Sequence, residues 1–549
     1  MKALLLLILP ALSLFGLNSC KTVKVSDESY AWKSFDNSEK DQSVDLSTYS
    51  SPNDRPGQDP KKLVIVCASG GGSRAASFTT GIMLELEKIG IEQHTKITSN
   101  VLDEIDYFST VSGGGWGASS YLAYLYMKDR YSTPKYQDAI SRYNSSLPSK
   151  DFKRLSVEHY PTFNSYESYL ANRADFRYYK GQIPLILTFW FGAAKSDMKM
   201  TNRLNAGYLG RSYRREVESS IWNHMYPGAT FREDSVSSIT LGDVFKKKGD
   251  PSYMPMLITN ATNIDNYKLI PFTPDRLEYW GVKQYRHYMS KDFQDVNNAV
   301  DLGQIPLASG TKASSGIPFG MSCSTFPATK RDNYSNRDID YYLHLQDGGI
   351  IDQQGMHSAK SILLQNPDIK DKKNRIVLII DASSSGIDNK KKFKKKNAGR
   401  IYNASRVMAP FSTPDSQYPL TRERVKLFER EYNCTVIYLG TEVLIDKNSN
   451  FIPASKILPS KKRDVENYFY KKYSIVKNDV KGFLNSDIDE RKLLYTYISQ
   501  NVPTWFNSKG SKFKGKYFLD ENSTAKIMFL AGRGVVQLKG DEIKSIFND

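Results

Sequence analysis

Ser69-Gly70-Gly71-Gly72-Ser73-Arg74 and Thr110-Val111-Ser112-Gly113-Gly114-Gly115 are the two stretches that decide the fold. Each follows an apolar run that reads as a buried strand, Leu63-Val64-Ile65-Val66-Cys67-Ala68 in the first case and Tyr107-Phe108-Ser109-Thr110-Val111 in the second. Each also precedes a helix-like pattern: Phe78, Ile82, Leu86 and Ile89 are spaced to share one helical face that would lie against a sheet. Strand, glycine turn and helix therefore occur twice in succession. With serine at one turn and three glycines at the other, the pair reads as a nucleophile and an oxyanion loop.

Working outward, Met256-Leu257-Ile258-Thr259, Tyr342-Leu343-His344-Leu345-Gln346 and Ile376-Val377-Leu378-Ile379-Ile380 are further strand candidates, with Cys434-Thr435-Val436-Ile437-Tyr438 as a looser one. The run at 376–380 lacks alternation, which predicts a central strand covered on both faces. Strands separated by helical stretches predict an α/β fold, a three-layer α/β/α sandwich around a central mixed, mostly parallel sheet. The sequence does not give the strand order.

The chain has 549 residues, 40% of them hydrophobic, enough for a large core or two domains. Met1-Lys2 and the apolar run to Leu17 have the charge and length of a secretory signal, too short for a membrane span. Leu17-Asn18-Ser19-Cys20 then resembles the bacterial lipobox, which makes residues 1–20 a lipoprotein signal peptide and Cys20 the lipid attachment site. Residues 21–60, rich in Ser, Asp, Lys and Asn, read as a flexible tether. Removing Cys20 from the four cysteines leaves Cys67, Cys323 and Cys434, an odd number without CxxC spacing, so neither a disulfide framework nor a metal site is expected. The net charge of +17 favours an acidic partner, and for an exported lipoprotein that partner is a phospholipid membrane surface, with no nucleic acid. Two segments could touch lipid: the apolar Ile183-Pro184-Leu185-Ile186-Leu187-Thr188-Phe189-Trp190-Phe191, otherwise a buried element, and Lys390-Lys391-Lys392-Phe393-Lys394-Lys395-Lys396, otherwise a solvated loop.

A serine hydroxyl needs a base within hydrogen-bond reach and donors for the oxyanion it creates. Ser112 is the candidate nucleophile; Gly114 suits a sharp turn there, while Thr110 stands where glycine is usual and would crowd it. Gly70, Gly71 and Gly72 can bring bare N–H groups to an anion, helped by the positive end of the following helix. Neither GxxxxGK[ST] nor GxGxxG is present at this loop, which argues against a nucleotide site. Arg74 suits either a phosphate or a local carboxylate. Asp347, in Gln346-Asp347-Gly348-Gly349, is the candidate base; Asp381, ending the apolar strand, is its rival, and His357 would suit a Ser-Asp-His chain order.

Four blocks, Ser69-Gly70-Gly71-Gly72-Ser73-Arg74-Ala75, Val111-Ser112-Gly113-Gly114, Ala313-Ser314-Ser315-Gly316-Ile317-Pro318-Phe319 and Asp347-Gly348-Gly349, together resemble the patatin-like phospholipases. Ser69, where patatins usually carry aspartate, makes the chain more similar to the catalytic domain of the cytosolic phospholipases A. The resemblance covers about residues 61–386 and leaves 387–549, a basic loop and a C-terminal region packed on the catalytic domain, unaccounted for. It implies a Ser112–Asp347 dyad without histidine, a covalent acyl-enzyme, oxyanion donors at Gly71 and Gly72, a lipid phosphate held by Arg74, and no cofactor. The expectation is a lipid-anchored hydrolase of the bacterial cell envelope that releases fatty acids from glycerophospholipids or lysophospholipids. A general carboxylesterase on small or neutral esters and a catalytically silent lipid-binding lipoprotein are the alternatives, and the oligomeric state is not readable.

Overall fold

The computed structural model describes residues 43–55, 58–93, 96–131, 165–167, 239–282, 302–305, 307–316, 323–331, 337–382, 422–445 and 523–548, with 491, 494, 495 and 498. Cys20 and the signal segment, the apolar stretch at 183–191, the lysine run at 390–396 and Ile317–Phe319 lie outside the described residues. The described residues form ten strands: β1 (Leu63–Ala68), β2 (Gly90–Gln93), β3 (Lys96–Asn100), β4 (Tyr107–Val111), β5 (Met256–Asn263), β6 (Lys268–Phe272), β7 (Ser324–Arg331), β8 (Asp338–Asp347), β9 (Arg375–Asp381) and β10 (Thr435–Gly440). The helices that bear on the site are α1 (Gly72–Leu86), α2 (Gly113–Tyr131), α3 (Leu307–Ala313), α4 (Met356–Gln365), α5 (Arg422–Glu431), α6 (Ser523–Leu538) and α7 (Gly540–Asn548).

The main sheet runs β10-β9-β1-β4-β5-β8-β7, with β6 paired to β5. From β10 to β5 all pairings are parallel, and β6, β8 and β7 add antiparallel pairs. The mixed, mostly parallel sheet expected from the sequence is therefore the one observed. Ile376–Ile380 lie in the interior strand β9 and are wholly buried, which explains their lack of alternation.

The helices form two layers because parallel crossovers are right-handed. The steps β1-α1-β4 and β4-α2-β5 go one way along the sheet, whereas β9-α5-β10 goes the other way and puts α5 on the opposite face. Lys360 of α4 lies over the Tyr432 ring at the end of α5, 5.8 Å from its centroid, so α4 shares that second face.

Two regions join the core from outside the stretch that the sequence motifs cover. Residues 43–55 fall in the segment whose polar composition reads as a tether, yet Val44, Tyr49, Asn53 and Arg55 are buried. Val44 N–H donates to Ser361 Oγ at 3.2 Å, and Tyr49 OH donates to Asp275 Oδ1 at 2.9 Å. A few apolar anchors spaced among polar residues are enough to pin the strap, which composition alone averages away. Beyond residue 386, β10 pairs with β9 from Thr435 to Gly440, and α6 packs along α1.

The α1–α6 contact is backbone-close. A methyl group on Gly81 would stand 2.2 Å from the carbonyl oxygen of Phe529, and one on Gly532 2.3 Å from that of Phe78. Beside this seam Arg533 forms a buried ion pair with Glu85, whose other oxygen accepts from Gln537 Nε2 at 3.0 Å. Gly81→Ala is expected to lower unfolding free energy by about 1–3 kcal/mol, because α6 must move off α1. Gly540→Ala, where the new methyl meets nothing within 4 Å, should change it by less than about 0.5 kcal/mol. Denaturant titration of the two variants checks the contrast.

Candidate active site

Strand register brings the two chemical residues level. Val111 stands opposite Asn260 on β5, so Ser112 follows at the height of Ala261, and Ala261 on its other side faces Asp347 of β8. One strand and one alanine therefore separate Ser112 from Asp347. The Ser112 hydroxyl is close enough to act on the Asp347 carboxyl and lower its proton affinity, and no histidine is among the groups acting on that carboxyl.

Ser112 adopts φ +48°, the left-handed conformation that a side-chain-bearing residue rarely takes and that marks a sharp strand-to-helix turn. Its N–H donates to Ser314 Oγ at 2.9 Å and its C=O accepts from Gly115 N–H at 3.0 Å. The crowding expected from Thr110 does not arise, because the neighbouring helix position is Gly115: a methyl there would come 3.0 Å from Thr110 Oγ1.

The glycine loop lies directly against this turn. A side chain at Gly113 would collide with the Gly72 carbonyl oxygen at 2.0 Å, so the two turns touch backbone to backbone. Gly71 has φ +140°, open to glycine alone, and stands at the N-terminus of α1. Among the described residues no acceptor takes the N–H of Gly71 or Gly72, which leaves two donors at the N-terminus of α1, next to the turn that carries Ser112. Ser69 Oγ accepts from Ala382 N–H at 2.9 Å, fastening the start of the loop to the end of β9.

Asp347 is the charged centre. Its Oδ1 accepts from Gly349 N–H at 2.9 Å, while its own N–H donates to Gly316 C=O at 3.1 Å and its C=O accepts from Thr262 Oγ1 at 2.9 Å. Desolvation by the surrounding protein lifts the carboxyl from its ordinary 3.8 to about 6, outweighing the hydrogen bonds from Gly349 and Ser112 that hold it down. Some of the residue's surface remains open toward the site. It is thus an anion at neutral pH and a workable proton acceptor.

The other candidates stand elsewhere. Asp381 Oδ2 accepts from Tyr438 OH at 3.0 Å and lies in the field of Arg74. Arg74 is buried, which lowers its guanidinium to about 10, with Asp381 and Tyr495 pulling it back up. His357 is in the first turn of α4, its backbone N–H held by Asp352 Oδ2 at 2.8 Å.

Two further positions hold the site together without having been site candidates in the sequence. Ser314, from the small-residue block, accepts from Ser112 N–H, donates to Asn260 C=O, and through its own C=O takes Gly348 N–H at 3.2 Å, so it spans Ser112 and the Asp347 turn. Asn260 Nδ2 donates to Ser109 Oγ at 3.1 Å and to Thr110 C=O at 3.2 Å, and its Oδ1 accepts from Ser358 at 2.6 Å. The available signal for Asn260 was an amide closing the apolar run Met256-Leu257-Ile258-Thr259.

No protein-family model matches the sequence, and no curated protein sequence matches it. Among solved structures the chain is similar to human GIVD cytosolic phospholipase A2 in complex with methyl gamma-linolenyl fluorophosphonate, at 12% identity and a TM-score of 0.33, covering 88% of this chain and 58% of that one. A second structure, of human GIVD cytosolic phospholipase A2, is matched at 10% identity and a TM-score of 0.32, over 88% of this chain and 60% of the other. The chain spans less than two thirds of the length of those proteins.

The raised carboxyl makes stability depend on pH. A neutral Asp347 favours the folded state; that contribution is complete below about 3.8 and is lost as pH rises through about 6, where a buried charge remains. Asp347→Asn should therefore match wild type in stability near pH 4 and exceed it at pH 8 by on the order of 1–2 kcal/mol. Thermal unfolding of both proteins across that range checks the sign.

Proposed function

We propose that this protein is an acyl-ester hydrolase that releases fatty acids from glycerophospholipids or lysophospholipids through a Ser112–Asp347 dyad. The observation that carries the reading is the placement of Ser112 and Asp347 level with each other across Ala261, at a left-handed strand-to-helix turn packed against a glycine loop. Ser112 Oγ attacks the ester carbonyl carbon and its proton passes to Asp347. The negative oxygen so formed is held by the N–H groups of Gly71 and Gly72 and the N-terminus of α1. Collapse of the tetrahedral species breaks the C–O bond; Asp347 returns the proton to the leaving alcohol and later takes one from the water that releases the fatty acid.

Lipid as the substrate class is supported by the +17 charge, by the lipobox-like Cys20 and by the sequence resemblance of the four blocks. On this reading a membrane surface is the partner, the cell envelope is the location, and Arg74 contributes positive charge on the glycine-loop side for the lipid phosphate.

Purified protein should release fatty acid from mixed phospholipid vesicles, and Ser112→Ala and Asp347→Asn, folded by circular dichroism, should each lose about 10³-fold or more. Release by wild type that persists in Ser112→Ala would remove the dyad. No release from vesicles together with turnover of a soluble p-nitrophenyl ester would make the protein a general carboxylesterase, and no turnover of either would leave a silent lipid binder. Because Asp347 must be ionised to accept the proton, kcat/KM should rise with pH and level off above about 6. A profile flat from pH 4 to 8 would exclude Asp347 as the base.

A further inference from the structure

One polar side chain at this site has no role in the steps above. Gln353 follows the Asp347 turn, and its backbone C=O accepts the N–H of Gly70 at 2.9 Å, tying the turn to the glycine loop. Its side-chain amide fills the gap between the two. A methyl built on Gly70 would stand 3.0 Å from Nε2, and one built on Gly349 would stand 2.5 Å from Oε1 and 3.0 Å from Asp347 Oδ1. The side chain is half-buried, and among the described residues neither end of its amide has a hydrogen-bond partner.

The amide is half-buried and not engaged by described protein groups, so its donor and acceptor are available to a further group. The orientation of this one is informative. Its acceptor end lies by the Asp347-Gly349 turn and its donor end by Gly70, the residue that precedes the Gly71 and Gly72 donors.

We propose that Gln353 is a catalytic residue whose Nε2 donates a third hydrogen bond to the substrate oxyanion, an assignment that rests on the Ser112 hydrolase reading. No bond is made or broken at Gln353: it acts only through the hydrogen bond that strengthens as the carbonyl oxygen becomes negative, which lowers the barrier without tightening the ground state. The backbone tie to Gly70 is independent of the side chain, so removing the amide leaves the loop anchored.

The test is steady-state hydrolysis of p-nitrophenyl butyrate by the full chain, compared with Gln353→Ala and the near-isosteric Gln353→Glu, together with the rate of inactivation by an alkyl fluorophosphonate. Gln353→Ala should lower kcat by about 10²-fold with KM within about 2-fold, slow inactivation in parallel, and leave the melting temperature unchanged. Gln353→Glu, which puts an acceptor where the donor was, should be at least as slow. Turnover in both variants within about 2-fold of an active wild type overturns the assignment and leaves the dyad standing. A loss that appears in KM and melting temperature as well as kcat makes Gln353 a packing residue and equally overturns it. A wild type that turns over no ester and does not react with the fluorophosphonate removes the hydrolase reading and this assignment together.

Discussion

The site depends on a register. Ser112 and Asp347 come from strands that are not neighbours, and they meet only because β5 pairs in parallel with β4 on one side and antiparallel with β8 on the other, with Ala261 level with both. Two strand spacings put their backbones about 10 Å apart, a gap that a serine and an aspartate can close over an alanine. A slip of one residue on either side would send a side chain to the other face of the sheet. The bonds around Ser314 and Asn260 act on this register: Ser314 holds the Ser112 and Gly348 backbones at once, and Asn260 clamps the end of β4 to β5 and, through Ser358, to α4.

The same packing sustains a backbone that would not choose its own conformation. A left-handed serine is disfavoured by about 1–2 kcal/mol, and it persists where its surroundings over-determine it. Here the N–H is claimed by Ser314, the C=O by Gly115, and the next residue is pressed against Gly72. Burial works on Asp347 in a parallel way, raising a carboxyl that an exposed position would leave near 3.8. Turn geometry and proton affinity are thus both set by protein outside the dyad, and both oppose what the isolated residues prefer.

Much of the architecture was legible because it is written in local patterns. The apolar runs at 63–68, 107–111, 256–259, 342–346 and 376–380 all form strands, and the two glycine turns stand between strand and helix as read. Less visible was anything set by long-range pairing: that β5 would separate the dyad, that Ser314 would serve both of its members, or that Gly115 would make room for Thr110. Each of these needs three-dimensional neighbours far apart in sequence. Composition also misled at residues 43–55, where buried anchors such as Val44 and Tyr49 are diluted by polar residues that stay at the surface.

The seam between α1 and α6 has a consequence for the order of events during synthesis. The helix whose N-terminus carries the glycine loop emerges early, but the helix that covers its Gly81 face is made near the end of the described chain. At about 5–20 residues per second, the interval from Leu86 to Ser523 takes roughly 20–90 s. Throughout that time Phe78, Ile82 and Glu85 await Phe529, Gly532 and Arg533, so the nascent chain carries an apolar helix face and a prospective ion pair without their complement. The glycine loop at the head of α1 therefore gains the full support of its helix only after α6 has been translated.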